Sequence, residues 1–418
     1  MTGASHRRLL AGVGAGREPS LAEHLGVHGP LPGDRTPERL RSDLSASGLR
    51  GRGGAAFPAG VKADAIAGRR RPVIVVNGAE GEPMSSKDRV LLTRAPHLVL
   101  DGAVLAAEAV GARDVTVAAP AGLLPHLATA VEERRGLIDS RARIRLEPSA
   151  AGYVSGEETA LLAHLEGKPP LPRTKPPLPV ARGLRGRPTL VHNVETIAHV
   201  ALIARHGAGW FQEMGTREHP GTTLVTVSGA VERPAVHEVA LGTPLRVIVA
   251  RAGGERASTR ALLVGGYFGA WVDRDGENLT FDDTSLRTVG AGVGAGVIVV
   301  LGGDACPVAE TARLAAWMSG ESAGQCGPCV FGLAALADVL HRFATGRTER
   351  DDVARLRRWT SLVRGRGACH HPDGVARMVA SATRVFGREL ADHARRGPCA
   401  ACSAPPTLAT PRPGALAA

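Results

Sequence analysis

Glycines, carboxylates and lysines recur in this chain at spacings that suit phosphate and nucleotide chemistry. Gly51-Arg52-Gly53-Gly54-Ala55-Ala56-Phe57-Pro58-Ala59-Gly60-Val61-Lys62 puts a cation at the end of a glycine-dense loop. Clustered glycines let backbone N–H groups approach a phosphate or a flat ring, and a terminal lysine suits the phosphate. An ordinary flexible loop has the same composition. Asn77-Gly78-Ala79-Glu80-Gly81-Glu82-Pro83 follows an apolar run, where its carboxylates can accept from hydroxyls or ring N–H groups; a solvated turn reads the same way. Gly156-Glu157-Glu158-Thr159 and His192-Asn193-Val194-Glu195-Thr196 each open a helix. The helix dipole explains the acids and capping explains Asn193 without any ligand.

The six cysteines are Cys306, Cys326, Cys329, Cys369, Cys399 and Cys402. In a chain expected to be cytoplasmic, such spacing argues for metal rather than disulfides. Cys306, at a helix start, reads as a small buried apolar residue. Of 51 basic side chains only Lys62, Lys87, Lys168 and Lys175 are lysine, and all fall inside the motif regions. A lysine is a compact point charge where arginine is a planar fork, so the choice has meaning at a tight site.

The elements that must position these groups alternate. The apolar run Val73–Val76, the segments 115–118 and 144–146, and intervening helices at 97–111 and 121–135 predict an α/β unit with a parallel sheet. Asn77–Pro83 then falls at the carboxyl end of the first strand, where such sheets bind ligands. Helices are expected from Pro37 to about Ser47 and over 194–206, with an extended Pro-rich loop over 168–188 between the acidic motif and the second helix. Residues 1–35 read as a flexible lead, 36–215 as the parallel-sheet domain, 216–303 as a small β-rich domain, 304–395 as a helical domain and 396–418 as a disordered tail. The net charge is +11, but basic residues are scattered and only 3% of residues are aromatic, which argues against a nucleic-acid partner. An acidic redox protein or a phosphate-bearing cofactor suits that charge, as does a plain basic surface. No apolar run spans a bilayer and no leader has an apolar core, so a cytoplasmic protein that meets membranes only through partners is expected.

Five ordered runs, GLRGRGGAAFPAGVKA (48–63), NGAEGEPMSSKDR (77–89), GEETAL (156–161), KPPLPV (175–180) and HNVET (192–196), closely resemble the motif series of the NADH-binding flavoprotein (F-type) subunit of complex I, the NADH–quinone oxidoreductase family. The resemblance, which extends to soluble hydrogenase and formate dehydrogenase relatives, spans about residues 37 to 390. It implies a Rossmann-like FMN-binding domain, a β-grasp-like SLBB domain and a C-terminal helical bundle with a [4Fe–4S] site. It implies that Gly51, Arg52, Gly53, Gly54, Lys62, Asn77, Glu80, Gly156, Glu157, Asn193 and Thr196 line the FMN pocket, with Phe57, Glu82, Glu158 and Lys175 nearer the NADH. Hydride then passes from NADH to FMN, and electrons pass through the cluster to a ferredoxin-like or quinone-linked partner. No side chain is cast as catalytic, because the protein positions and tunes cofactors. The acids near one cleft favour NADH over a donor with an extra phosphate.

The departures from that pattern are specific. Ala56 replaces a glycine, Ala79 an aspartate and His192 an asparagine, and Ala63, Ala65 and Leu178 stand where aromatic residues are usual. Each lost polar contact costs roughly 1 kcal/mol. Of the implied cluster ligands, Cys326, Cys329 and Cys369 are present and the fourth is Ala323. The open alternatives are His370 or His371 as fourth ligand, Cys399 or Cys402 folding back, a cluster lacking an iron or holding one by an exogenous ligand, Zn²⁺ as Cys₃His, or an empty site. A second functional reading is therefore a non-catalytic or electron-relay module with a degenerate nucleotide pocket.

Overall fold

The computed structural model describes residues 7–14, 19–33, 35–136, 142–254 and 258–411. Val73–Asn77 (β1), Asp114–Ala119 (β2), Arg143–Pro148 (β3) and Thr189–Asn193 (β4) form a parallel sheet in the order β3-β2-β1-β4. β1 and β2 are almost continuously apolar because both faces are covered. β3 lies at the edge and alternates charged residues toward solvent. β4 is an addition to the elements expected from sequence. It is five residues wedged between the Pro-rich loop and a capped helix, and only its pairing with β1 makes it a strand.

The helix Pro96–Val110 is buried on nearly every face and crosses the helix Val194–Gln212. They cross at Gly102, where a Cβ would fall 1.8 Å from the Ile197 carbonyl oxygen, so only glycine permits this approach. The helix expected over 121–135 starts as a 3₁₀ turn, Ala121–Leu123, before the α-helical Leu124–Glu133. The helix expected over 194–206 runs on to Gln212, past a break at Gly207.

The N-terminal segment is docked rather than flexible where it is described. The backbone N–H groups of Arg8, Leu9 and Leu10 all donate to the buried Glu238 carboxylate, at 2.8, 3.0 and 3.1 Å. The Arg8 guanidinium stacks 3.8 Å over Trp210. The helix Leu21–His28 starts with a Ser20–Glu23 capping box. A buried carboxylate needs donors, and this segment supplies them.

Thr222–Gly229 (β5), Ala235–Ala240 (β6), Thr259–Val264 (β7), Ala270–Asp273 (β8) and Val297–Gly302 (β9) form a mixed sheet in the order β6-β5-β9-β7-β8. β5 and β9 are parallel, and the other pairs are antiparallel, a β-grasp arrangement. Helices Pro307–Gly320, Ala334–Thr345, Asp352–Val363, His371–Val385 and Gly387–Arg396 follow.

The tail expected to be disordered is ordered through Pro411 in the described residues. Leu408 is buried, the Thr407 and Leu408 N–H groups donate to buried Glu310 at 2.7 and 3.2 Å, and the Trp317 indole N–H donates to the Pro411 carbonyl at 2.8 Å. The same rule holds as at the N-terminus: an interior carboxylate recruits backbone amides. Residues 412–418 lie outside the described residues. No single helix among the described residues is long and apolar enough to cross a membrane.

Candidate nucleotide cleft and cysteine centre

Asn77 and Asn193 are register partners at the carboxyl ends of β1 and β4. The chain leaves β1 toward β2 and returns from β3 to the opposite side of β1, so the two asparagines mark a topological switch point. Asn77 Nδ2 donates to the Gly156 carbonyl at 2.8 Å, and its Oδ1 accepts the Ala79 N–H at 3.1 Å. Asn193 caps the following helix by accepting the Glu195 N–H at 3.0 Å, and accepts from Lys87 Nζ at 3.0 Å.

The glycine loop closes on this edge. Gly51 N–H donates to Phe57 O at 2.9 Å, and Arg52 N–H donates to Thr196 Oγ1 at 2.8 Å. A Cβ on Gly53 would stand 3.2 Å from Asn193 Cβ. A small pocket beside this loop is lined by Gly51, Arg52, Gly54 and Ala56, by Lys87 and Thr223, and by Asp283, Gly294 and Gly296 of the second sheet domain. Ala56 sits at φ 50°, a left-handed conformation that a glycine would hold without strain.

A buried charge group supports the cleft. Lys87 Nζ lies 2.7 Å from Asp88 and 3.1 Å from Glu195, and Glu195 also accepts from Thr223 Oγ1 and Leu224 N–H at 2.8 and 3.0 Å. Burial disfavours the Lys87 charge, but Asp88 and Glu195 more than offset it and hold the ammonium protonated. Asp88 is pushed up to about 6 by burial despite Lys87. Arg52 donates to Thr222 O at 3.1 Å, and its Nε is buried without a hydrogen-bond partner.

A second group stands beside it. Lys62 Nζ lies 3.0 Å from Glu158 and 2.9 Å from Val191 O; Lys175 Nζ lies 2.8 Å from Glu157 and 2.7 Å from Glu158. Burial raises the Glu158 carboxyl, but Lys62 and Lys175 pull it below the ordinary value. Glu157 is the N-cap of the helix Glu158–Leu165, accepting from Thr159 and Ala160 N–H at 2.7 and 3.1 Å. His192 is buried, and burial followed by Lys62 brings it down to about 3, so the ring is neutral.

The sequence-expected residues thus divide. Gly51–Gly54, Asn77, Gly156, Asn193 and Thr196 meet at the sheet edge, and Lys62, Glu157, Glu158 and Lys175 share one ion-pair cluster. Glu80 caps the helix Lys87–Arg94 through the Asp88 and Arg89 N–H groups, both at 2.9 Å. Glu82 turns into the seam with the second domain, accepting Tyr267 N–H at 2.7 Å and Tyr153 O–H at 3.1 Å. Burial pushes it up to about 7. Phe57 is 52% exposed. Lys87 and Asp88, inside the NGAEGEPMSSKDR run but assigned no role from sequence, join the site, as do Thr223 and Asp283, which no motif marks.

The side-chain-free glycine loop fits the close approach of a flat cofactor, while the Arg52 guanidinium is already compensated by Glu195, 3.8 Å from its Nε. Both lysines nearest the glycine loop are already engaged by carboxylates, so a phosphate there would share them.

The thiols of Cys326, Cys329 and Cys369 act on one another electrostatically. Burial, then Cys326 and Cys369, pushes Cys329 up to about 12. Burial also raises Cys369, whereas the Ala368 and Cys329 N–H groups bring Cys326 down against its own burial. His371 donates from Nε2 to Met318 O at 2.8 Å, and its Nδ1 is buried without a partner; the His370 side chain is 93% exposed. Cys399 and Cys402 do not fold back toward these thiols and gather instead with Cys306 and His393. Three thiols as soft donors fit an iron–sulfur cluster with one iron held by another ligand.

A parallel sheet with a glycine cradle at its switch point, a β-grasp domain completing the cleft and a thiol-bearing helical domain define a nucleotide-handling redox protein. The family models agree: the Nuo51 FMN-binding domain matches residues 44–202, the SLBB domain 224–262 and the NADH-ubiquinone oxidoreductase-F iron–sulfur binding region 309–393. The F-type subunit of NADH-quinone oxidoreductase from Rickettsia felis is 35% identical over 375 residues, covering 85% of this chain and 89% of that protein. The Mycobacterium tuberculosis H37Rv protein of the same name is 33% identical, covering 87% and 86%. Among solved structures, an NAD⁺-reducing [NiFe]-hydrogenase in the H₂-reduced state superposes with a TM-score of 0.80 at 32% identity, covering 85% of this chain and 62% of that one. The chain belongs to the family of F-type subunits of NADH-quinone oxidoreductase, oxidoreductase subunits with an FMN-binding domain and an iron–sulfur region that work beside other redox subunits.

Proposed function

We propose that this chain accepts hydride from NADH onto FMN and relays electrons through an iron–sulfur cluster to a redox partner subunit. The observation that carries this is the meeting of the glycine loop with Asn77, Gly156, Asn193 and Thr196 at the switch point of the parallel sheet. Gly51–Gly54, Asn77, Gly156, Asn193 and Thr196 would seat the FMN, with Lys62 sharing its charge between Glu158 and the phosphate. Phe57, Glu158 and Lys175, near the outer face, would meet NADH, and Glu157 holds Lys175 in place. Glu80 and Glu82 act through structure, one holding the helix that carries Lys87, the other joining the cleft to the second domain. Bound FMN supplies the change from two-electron to one-electron chemistry. Cys326, Cys329 and Cys369 would hold the cluster, and the domain boundaries expected from sequence separate these tasks.

The partner is read as a ferredoxin-like or other iron–sulfur protein. Val330 and Phe331, next to Cys329, are 49% and 75% exposed and offer it an apolar face beside the cluster. A cytoplasmic location, with any membrane reached through partners, suits that arrangement. One observation favours the alternative of a non-catalytic relay module: Lys62, Lys175, Glu157 and Glu158 satisfy one another inside the chain.

The deciding measurement is an anaerobic visible spectrum of the purified chain with and without NADH. A flavin band over a broad iron–sulfur shoulder, bleached by NADH, is expected. A protein that takes up no flavin on reconstitution sinks the dehydrogenase reading.

A further inference from the structure

Cys306, His393, Cys399 and Cys402 bring one ligand atom each to a single point, all within 4.8 Å of one another. Cys306 and Cys402 Sγ are 3.4 Å apart, Cys399 and Cys402 Sγ 3.8 Å, and His393 Nε2 lies 3.7 Å from Cys306 and 4.0 Å from Cys402. With Zn–S of about 2.3 Å and Zn–N of about 2.0 Å, tetrahedral geometry requires ligand–ligand edges of ~3.5–3.8 Å. We propose that these four residues form a second, mononuclear metal site that takes Zn²⁺ and is distinct from the cluster site at Cys326, Cys329 and Cys369.

The surroundings prepare each ligand. His393 Nδ1 lies 3.0 Å from the Phe343 carbonyl oxygen, which can only accept, so Nδ1 carries the proton and Nε2 keeps its lone pair for a metal. Nε2 also lies 3.4 Å from the Cys399 N–H, a contact that a metal replaces. Cys306 is the N-cap of the helix Pro307–Gly320, and its Sγ accepts the Ala309 N–H at 3.4 Å, which fixes the sulfur's position beside the other three ligands. Cys399-Ala400-Ala401-Cys402 closes a tight turn through the 3.0 Å Cys402 N–H to Cys399 O bond. Cys306 and His393 are buried while Cys399 is exposed, so an ion arrives from one side.

Two simpler explanations fit less well. A disulfide uses two sulfurs, yet Cys402 stands between two thiols and an imidazole, and all three cysteines are free. A polynuclear cluster spreads its thiolates over several irons, whereas these converge as around one ion. The iron–sulfur region of the family spans residues 309–393, so Cys306, Cys399 and Cys402 fall outside it. Binding releases three thiol protons and leaves a four-ligand, closed complex of charge −1, the form of a structural zinc site. Its task is to hold the tail, which runs on to Glu310, Trp317 and the Met84 sulfur at 3.4 Å from Ala409 N–H.

The test is metal analysis of the full chain, purified anaerobically from zinc-supplemented cells. About one zinc per chain is expected beside the iron. Cys402→Ser should lose the zinc and keep the iron, and Cys326→Ser the reverse. Should Cys402→Ser not fold, cobalt loading of the zinc-stripped wild-type chain answers the same question through intense tetrahedral d–d bands with sulfur-to-cobalt charge transfer. Absence of zinc together with absence of those bands overturns the proposal. So does iron in place of zinc at this group, seen as iron lost in Cys402→Ser. Either failure leaves the flavin reading untouched.

Discussion

Lys62 and Glu158 face each other at 3.0 Å, one from the helix after the glycine loop and the other from the helix after the acidic motif. The pair leaves the lysine able to serve a phosphate while holding it near β4 through Val191 O. Lys62→Ala should therefore reduce flavin retention roughly tenfold or more, the value of one charge-assisted hydrogen bond. Flavin released from purified protein and quantified by fluorescence is the readout. Unchanged flavin content would show that the lysine is only structural. Lys62→Arg should not restore binding, because a fork does not replace a point charge here.

Ala56→Gly should stabilise the protein by about 0.5–1 kcal/mol, because φ 50° costs alanine more than glycine's extra freedom in the unfolded chain. It also removes a methyl group from the pocket beside the glycine loop. A higher urea midpoint with flavin affinity no weaker is expected; a lower midpoint contradicts the strain.

Glu82 gives a pH dependence of definite sign. Its carboxyl titrates near 4.5 unfolded and about 7 folded, because burial outweighs the Tyr267, Met84 and Tyr153 donors. Between those values the folded state binds more protons, so its contribution is complete below about 4.5 and is lost as pH rises through about 7. The loss is at most roughly 3 kcal/mol. Glu82→Gln should flatten the urea midpoint between pH 5 and 8; an unchanged slope rules Glu82 out.

His192 gives the opposite slope. Its folded value is about 3 against 6.5 unfolded, so stability is present above 6.5 and falls as pH drops through that window. His192→Asn should remove this acid-side loss, as seen by circular dichroism during acid titration.

Glu195→Gln should cost about 3 kcal/mol, since it leaves Lys87 and Arg52 buried with less compensating charge. Chemical denaturation measures this. A loss below about 1 kcal/mol would mean that Asp88 alone suffices for Lys87.

Much of this structure is legible in sequence because it is local. The apolar run of β1, the cap at Asn193 and the glycine loop each announce themselves within a few residues. What stays hidden depends on distant partners. β4 exists through its pairing with β1. The N-terminal segment is ordered by Glu238, more than two hundred residues away. Cys306 reads as a small apolar residue because His393 is 87 positions further on, and adjacency in the fold leaves no spacing signature. Glu82 is expected at the donor site, but a motif does not show which way a carboxylate turns.

Glu195 belongs to a helix of the first sheet yet directs its carboxylate to Thr223 and Leu224 of the second, and Arg52 crosses the same seam to Thr222. Neither sheet can open without stranding charge belonging to the other. The two domains should therefore behave as one cooperative unit: a single melting transition is expected, and limited proteolysis is expected not to release the cofactor-binding half as a folded fragment.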